Sequence, residues 1–205
     1  MSTIRTTKEI VVLSDSIGRG LRHLPGVEVL FSPGATITHW ARIIESKTVR
    51  LSSNIKLLYI FIGTNDVGNG CQTTEIIERY KALLLTIKSE YTGRVAVCSI
   101  LPRRVDGPLM SENIKELNIQ IKKFKKSLEN IVYCKTHGAF AKGKTINTFL
   151  YTLRYRCGRA DLIHPNQEGF VRLRWVFRQS TMHYHKDICK DGGTKLPQRI
   201  LKPKL

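Results

Sequence analysis

Five short apolar runs punctuate the chain, at Ile10–Leu13, Val27–Phe31, Leu57–Ile62, Val95–Ile100 and, more weakly, Ile131–Cys134. Runs this short and rich in Val, Ile and Leu predict strands buried on both faces. Helix-period segments lie between them. From Thr74 to Tyr91 the residues Ile76, Tyr80, Leu83, Leu84 and Ile87 recur at spacings of four, three, one and three, the stripe of a helix packed on a sheet. Thr73 or Thr74 is placed to cap it, and Gly93 follows its end. A second helix is predicted over Ser111–Asn130, with Ile114, Leu117, Ile121, Phe124 and Leu128 on one side and Lys115, Lys122 and Lys126 opposite. Thr36–Ser46, carrying Ile37, Trp40, Ile43 and Ile44, reads as a shorter helix, and a last one follows Pro165 from Gln167 to about Gln179.

Strands alternating with helices imply right-handed crossovers and a mostly parallel sheet covered on both faces. The expected fold class is therefore α/β, a three-layer α/β/α sandwich of about five mostly parallel strands. Residues Phe140–Arg159 are rich in Gly, Lys and Arg without clean periodicity and read as a long surface connection. After Thr181 the pattern fades and basic residues and Pro accumulate. The expected organisation is one domain over residues 1–180 and a basic, mobile tail over 181–205.

Composition changes this picture in one respect. At 205 residues and 41% apolar content the chain can bury a sizeable core, but 34 Lys and Arg against 16 Asp and Glu give a formal charge of +18. Such an excess favours phosphate-rich partners such as RNA, DNA or an anionic membrane, although a uniformly basic and inert surface is the plainer account. Cys71, Cys98, Cys134, Cys157 and Cys189 are odd in number and scattered, which argues against a disulfide framework or a zinc knuckle. The early apolar run is too short for a signal-peptide core or a membrane span. These features predict reduced thiols and an intracellular, cytoplasmic protein.

Candidate chemistry lies where the predicted strands end. The first runs into Ser14-Asp15-Ser16-Ile17-Gly18, the second into Ser32-Pro33-Gly34-Ala35, and the third into Gly63-Thr64-Asn65-Asp66. Asp161-Leu162-Ile163-His164-Pro165-Asn166 precedes the last helix. Each has a plainer account when taken alone: a strand-to-helix turn at Ser16, a turn glycine at Gly34, a helix-capping role for His164. A serine hydroxyl becomes a nucleophile near neutral pH when a base lies within hydrogen-bond reach, and an imidazole of ordinary pKa about 6.5 can serve. His183, His185 and Cys189 lack a fourth donor and make a poor metal site, so none is expected.

Together, and in this order, the four stretches resemble the SGNH or GDSL-type hydrolases, a family named for a Ser, a Gly, an Asn and a His in separate sequence blocks. The resemblance spans roughly residues 10–180. It implies a flavodoxin-like fold, with Ser16 as nucleophile, His164 as base and Asp161 orienting the imidazole. By the same resemblance the oxyanion hole would be the backbone N–H groups of Ser16 and Gly34 with the Asn65 amide. The family usually carries Gly where this chain has Ser14. Ile62–Asp66, and Ile100-Leu101-Pro102-Arg103 ahead of a long amphipathic helix, are further similar to esterase domains in the first open reading frames of LINE-type retrotransposons. The function so implied is a cofactor-free serine esterase acting on small acyl or lipid-like esters. The alternative is a basic module that binds nucleic acid or anionic lipid on a hydrolase fold, carried by the Lys face of 111–130, the Arg154–Arg159 segment, Arg172, Arg174, Arg178 and the tail.

Overall fold

The computed structural model describes residues 3–105, 108–143, 145–153 and 160–190, with the backbone alone at 108, 109 and 186–190. Five parallel strands form the central sheet: β1 (Ile10–Ser14), β2 (Val27–Phe31), β3 (Leu57–Phe61), β4 (Arg94–Cys98) and β5 (Ile131–Cys134). Their spatial order is β2-β1-β3-β4-β5, the flavodoxin-like order, in which the topology reverses between β1 and β3. Five α-helices accompany them among the described residues: α1 (Ile37–Glu45), α2 (Thr64–Gly68), α3 (Thr73–Glu90), α4 (Pro108–Ser127) and α5 (Gln167–Lys190). The expected α/β/α sandwich is the fold observed.

Strand periodicity divides the core in two. Val11, Leu13, Leu58, Ile60, Val95 and Val97 face α1, α3 and α4, whose stripe includes Trp40, Ile44, Ile76, Tyr80, Leu83, Ile114 and Phe124. Their neighbours Ile10, Val12, Leu57, Tyr59, Phe61, Ala96 and Cys98 face the other way, onto Leu21, Phe140, Tyr151, Leu173 and Phe177. Burial on both faces explains why these strands read as unbroken apolar runs. Register sets the ends level: Ser14 lies opposite both Phe31 and Phe61. The loops leaving β2, β1 and β3 therefore emerge side by side at one edge.

Three expectations are corrected. The last helix does not stop near Gln179 but runs to Lys190, so the boundary expected at residue 181 falls inside it. Its buried stripe is Leu173, Phe177, Thr181 and Tyr184. A threonine interrupts that stripe and hides the period, yet its hydroxyl meets Tyr59 Oη at 3.0 Å, while Tyr184 Oη donates to the Tyr133 carbonyl at 2.8 Å. Residues 191–205 lie outside the described residues. The segment after Phe140 is not simply a surface connection, because Phe140 and Tyr151 are buried and Ala141–Lys142 pairs with Thr145–Ile146. Neither Thr73 nor Thr74 caps α3: the cap position is Gln72, which makes no side-chain bond there. The Lys115 side of α4 lies opposite the core as expected, with Lys122 and Lys126 exposed. Arg154–Arg159 lie outside the described residues.

Candidate active site

Ser16 opens a 3-10 helix, Ser16–Leu21, directly beyond β1. Asp15 caps that turn, its Oδ1 accepting from the Ile17 N–H at 2.9 Å, which fixes the backbone on both sides of Ser16. Ser14 is fully buried and its hydroxyl donates to the Phe61 carbonyl at 2.7 Å, tying β1 to β3. Its own carbonyl accepts from Trp40 Nε1 at 3.0 Å. A Cβ on Gly18 would sit 2.5 Å from Ser14 Cβ, so the space that the Ser14 side chain needs is left open by the glycine four residues on.

His164 reaches Ser16 from the far end of the sequence. Its Nε2 lies 2.7 Å from Ser16 Oγ, and its Nδ1 lies 3.0 and 3.1 Å from the two carboxylate oxygens of Asp161. With Nδ1 facing a carboxylate, the neutral ring carries its proton there and presents Nε2 as an acceptor to the serine hydroxyl. Asp161 is buried, and its Oδ1 also accepts from the backbone N–H groups of Ile163 and His164 at 3.1 and 3.0 Å. The carboxylate thus shapes the loop that carries the imidazole as well as orienting the ring. Capping of α5 falls to Asn166, whose Oδ1 accepts from the Gly169 N–H at 2.9 Å.

The β3 end supplies Asn65 in the first turn of α2. Gly63 before it has φ of +112°, and a Cβ there would lie 2.7 Å from Ile100 Cδ1, so only glycine fits. Asn65 Nδ2 donates to the Ala35 carbonyl at 2.9 Å, joining its loop to the Gly34 turn, which has φ of +72°. An amide nitrogen carries two hydrogens, so this bond leaves Asn65 a second donor. Asp66 is buried and accepts from the Ile37 N–H at 3.0 Å and from Arg79 Nη1 at 2.8 Å. Burial raises the Asp66 pKa despite Arg79. Burial likewise pushes the Asp15 carboxyl up to about 6, opposed by the Ile17 N–H and by the nearby imidazole of His164.

Sequence reasoning missed what holds the histidine loop. Thr152 N–H donates to the His164 carbonyl, Asn166 N–H to the Leu150 carbonyl and Asp161 N–H to the Leu153 carbonyl, a short ladder against 150–153. Asn166 Nδ2 donates to Phe149 and Tyr151 carbonyls at 2.7 and 3.3 Å, and Tyr151 Oη donates to the Pro102 carbonyl. Beneath that, Asn118 clamps Ile100 through both its N–H and its carbonyl, at 2.7 and 2.9 Å. Only Asn166 carried a readable signal, as an Asn directly before a helix. Among the described residues no group of three metal-ligating side chains occurs, and no helix is long and apolar enough to cross a membrane.

A serine, an imidazole and a carboxylate in one hydrogen-bonded chain, beside an amide at a sheet's carboxyl edge, can carry out acyl transfer. Comparison with solved structures points the same way for the fold. The chain is similar to a GDSL-like lipase from Bacteroides thetaiotaomicron, 19% identical over 86% of this chain and 89% of that one, with a TM-score of 0.67. It is similar to a member of the lipolytic G-D-S-L family from Veillonella parvula, 16% identical over 86% and 99%, TM-score 0.67. It is also similar to the OSK domain of Drosophila Oskar, 15% identical over 87% and 90%, TM-score 0.68. No curated protein matches the chain by sequence. The model of the GDSL-like lipase/acylhydrolase family matches residues 13–171, a span that takes in Ser16, Gly34, Asn65, Asp161 and His164, and the chain belongs to that family.

Proposed function

We propose that the protein is a serine esterase that cleaves small acyl or lipid-like esters through an acyl-enzyme. The observation that carries this reading is the 2.7 Å approach of Ser16 Oγ to His164 Nε2, with Asp161 behind the imidazole. Ser16 Oγ attacks the ester carbonyl carbon as its proton passes to Nε2. The oxyanion so formed is met by the N–H groups of Ser16 and Gly34 and by the Asn65 amide. The imidazolium, stabilised by Asp161, then protonates the departing alkoxide, leaving the acyl group on Ser16. Water, deprotonated by the same nitrogen, attacks the acyl-enzyme and releases the acid. No metal or organic cofactor enters these steps. The finer assignment to a LINE-type esterase domain, and an intracellular setting, belong to the same proposal and rest on the sequence alone.

The test is hydrolysis of p-nitrophenyl esters of increasing chain length together with labelling by a fluorophosphonate. Ser16→Ala should abolish the label and lower kcat by about 10⁴-fold or more. Full activity in that variant overturns the proposal.

A second reading, docking on a polyanion or anionic membrane, is favoured by one patch. Trp175 is 54% exposed with the Arg172 guanidinium 5.7 Å from its ring, and both border a groove with Leu150 and Val171. Cations over exposed aromatics suit bases or lipid headgroups. It requires an affinity that falls steeply with salt.

A further inference from the structure

The catalytic histidine forms part of a second feature. A cavity of about 750 Å³ has His164 and Asp161 in its wall together with Arg19, His23 and Arg174, and neither Gly34 nor Asn65 borders it. Asp161 is the one carboxylate on that wall among the described residues, and it is engaged with the imidazole and two backbone N–H groups. The cavity is therefore a cationic chamber attached to one side of the Ser16–His164 pair.

Its cations are placed by the fold. Arg174, half-buried on α5, donates from Nη1 to the Gly20 carbonyl at 3.0 Å, which aims the guanidinium across the turn that follows Ser16. Gly20 permits this close approach: a Cβ there would fall 2.0 Å from the Phe170 ring, so the ring lies against bare backbone and α5 seats tightly on the 3-10 helix. Burial and the neighbouring Arg178 both depress the Arg174 pKa, the mark of a cation lacking a local counter-charge. Arg19, one turn beyond Ser16, is exposed, and no ion pair among the described residues engages Arg19 or Arg174. A guanidinium fork beside a second one and an imidazole matches a phosphate, which offers three acceptor oxygens and up to two charges.

The chemistry fixes which part of a substrate enters this chamber. His164 must hand its proton to the departing oxygen, so the alcohol portion lies on the His164 side, while the acyl oxygen turns toward Asn65 and Gly34. Resting on the esterase reading above, we infer that the preferred substrate is an ester whose alcohol portion carries a phosphate, bound by Arg19, Arg174 and His23. Cleavage then gives the free acid and a phosphorylated alcohol, with one water consumed.

The test compares 1-acetylglycerol 3-phosphate with 1-acetylglycerol, which differ only in the phosphate. The ratio of their kcat/KM values in wild type should be about tenfold or more in favour of the phosphate ester and should fall with added salt. Arg174→Gln and Arg19→Gln should each lower that ratio. Arg174→Lys should retain part of it, and Lys81→Gln, on the exposed face of α3, should leave it unchanged. The Arg19 variant removes an exposed side chain and so guards against a folding defect in the Arg174 variant. A wild-type ratio near one in both this pair and the palmitoyl pair below, with the neutral esters turned over, overturns the inference while leaving the esterase reading intact. If no ester is hydrolysed, the esterase reading fails, and calorimetry of glycerol 3-phosphate with the folded protein decides the chamber: binding lost in Arg174→Gln supports it, and no binding overturns it. Repeating the pair with palmitoyl esters in neutral vesicles identifies the source of the phosphate. A preference confined to that arm assigns a lipid headgroup, and one present in both assigns a soluble phosphoalcohol.

Discussion

Two regions of the molecule meet at Ser16 Oγ, and they are built on different principles. Ser16, Gly34 and Asn65 come from loops at the ends of three adjacent strands whose register is set by the pleat, with Ser14 level with Phe31 and Phe61. Asp161 and His164 come from a loop that no strand of the central sheet delivers, held instead by a ladder to 150–153 and by Asn166. In the first region position follows from the core, because a one-residue slip would turn every buried side chain to the wrong layer. In the second it depends on a few polar contacts, each worth only about 1 kcal/mol. Changes in the strand-end loops should therefore alter chemistry with little loss of fold, and changes in the histidine loop should alter fold and chemistry together.

The largest expected effect lies in the first region. Asn65→Ala removes the amide proposed to meet the oxyanion and one part-buried bond to the Ala35 carbonyl. We expect kcat to fall about 100- to 1000-fold, equivalent to about 2.7–4 kcal/mol of transition-state stabilisation. The urea midpoint should move little, since one hydrogen bond contributes about 1 kcal/mol. Steady-state kinetics and denaturation on the same preparation test this. A large loss of stability with modest loss of kcat would break the contrast between the regions.

Asp15 sharpens the contrast through pH. Its folded pKa of about 6 stands above the 3.8 of the free side chain because burial disfavours the charge. As pH rises from 3.8 the unfolded chain releases this proton first, so stability falls, and above pH 6 the full cost is in place. A shift of that size corresponds to about 3 kcal/mol. Asp15→Asn keeps an oxygen for the Ile17 N–H and carries no charge. It should therefore match wild type near pH 3.5 and exceed it in urea resistance at pH 7.5 by up to about 3 kcal/mol. Equal curves at both pH values would show that Asp15 does not sit strained beneath the site.

The same contrast decides how much was legible in the chain. Unbroken runs such as Val11–Leu13 and Leu58–Ile60 announce doubly covered strands, and the loops behind them then fall at the active edge, which is why Ser16, Gly34 and Asn65 could be placed with the sheet. Asp161 and His164 were readable only through their resemblance to a family block. Their supports were not: Tyr151 and Asn118 act through carbonyls distant in sequence, and the stripe of α5 is masked where Thr181 stands in for an apolar residue. Period-based reading finds elements that bury one face and misses segments held by scattered polar contacts. The basic chamber was invisible for a related reason, since Arg19 and Arg174 are 155 positions apart and only the seating of α5 on the 3-10 helix brings them to one cavity.

Asn166→Ala probes the second region directly. It removes the cap of α5 and two donations, to Phe149 and Tyr151 carbonyls. Loss of the cap is worth about 1 kcal/mol and the part-exposed bonds about as much again, so stability should drop by about 2 kcal/mol. Amide exchange at Thr152, whose N–H bonds the His164 carbonyl, should quicken as the ladder loosens. If the loop carries the imidazole as the contacts imply, kcat should fall several-fold while KM changes little, because Nε2 spends less time within reach of Ser16 Oγ. An unchanged kcat alongside faster Thr152 exchange would mean that Asp161, through its own bonds to the Ile163 and His164 N–H groups, holds the ring without the ladder. The histidine loop would then be as self-sufficient as the strand ends, and the distinction between the two regions would reduce to how each is encoded rather than how each is held.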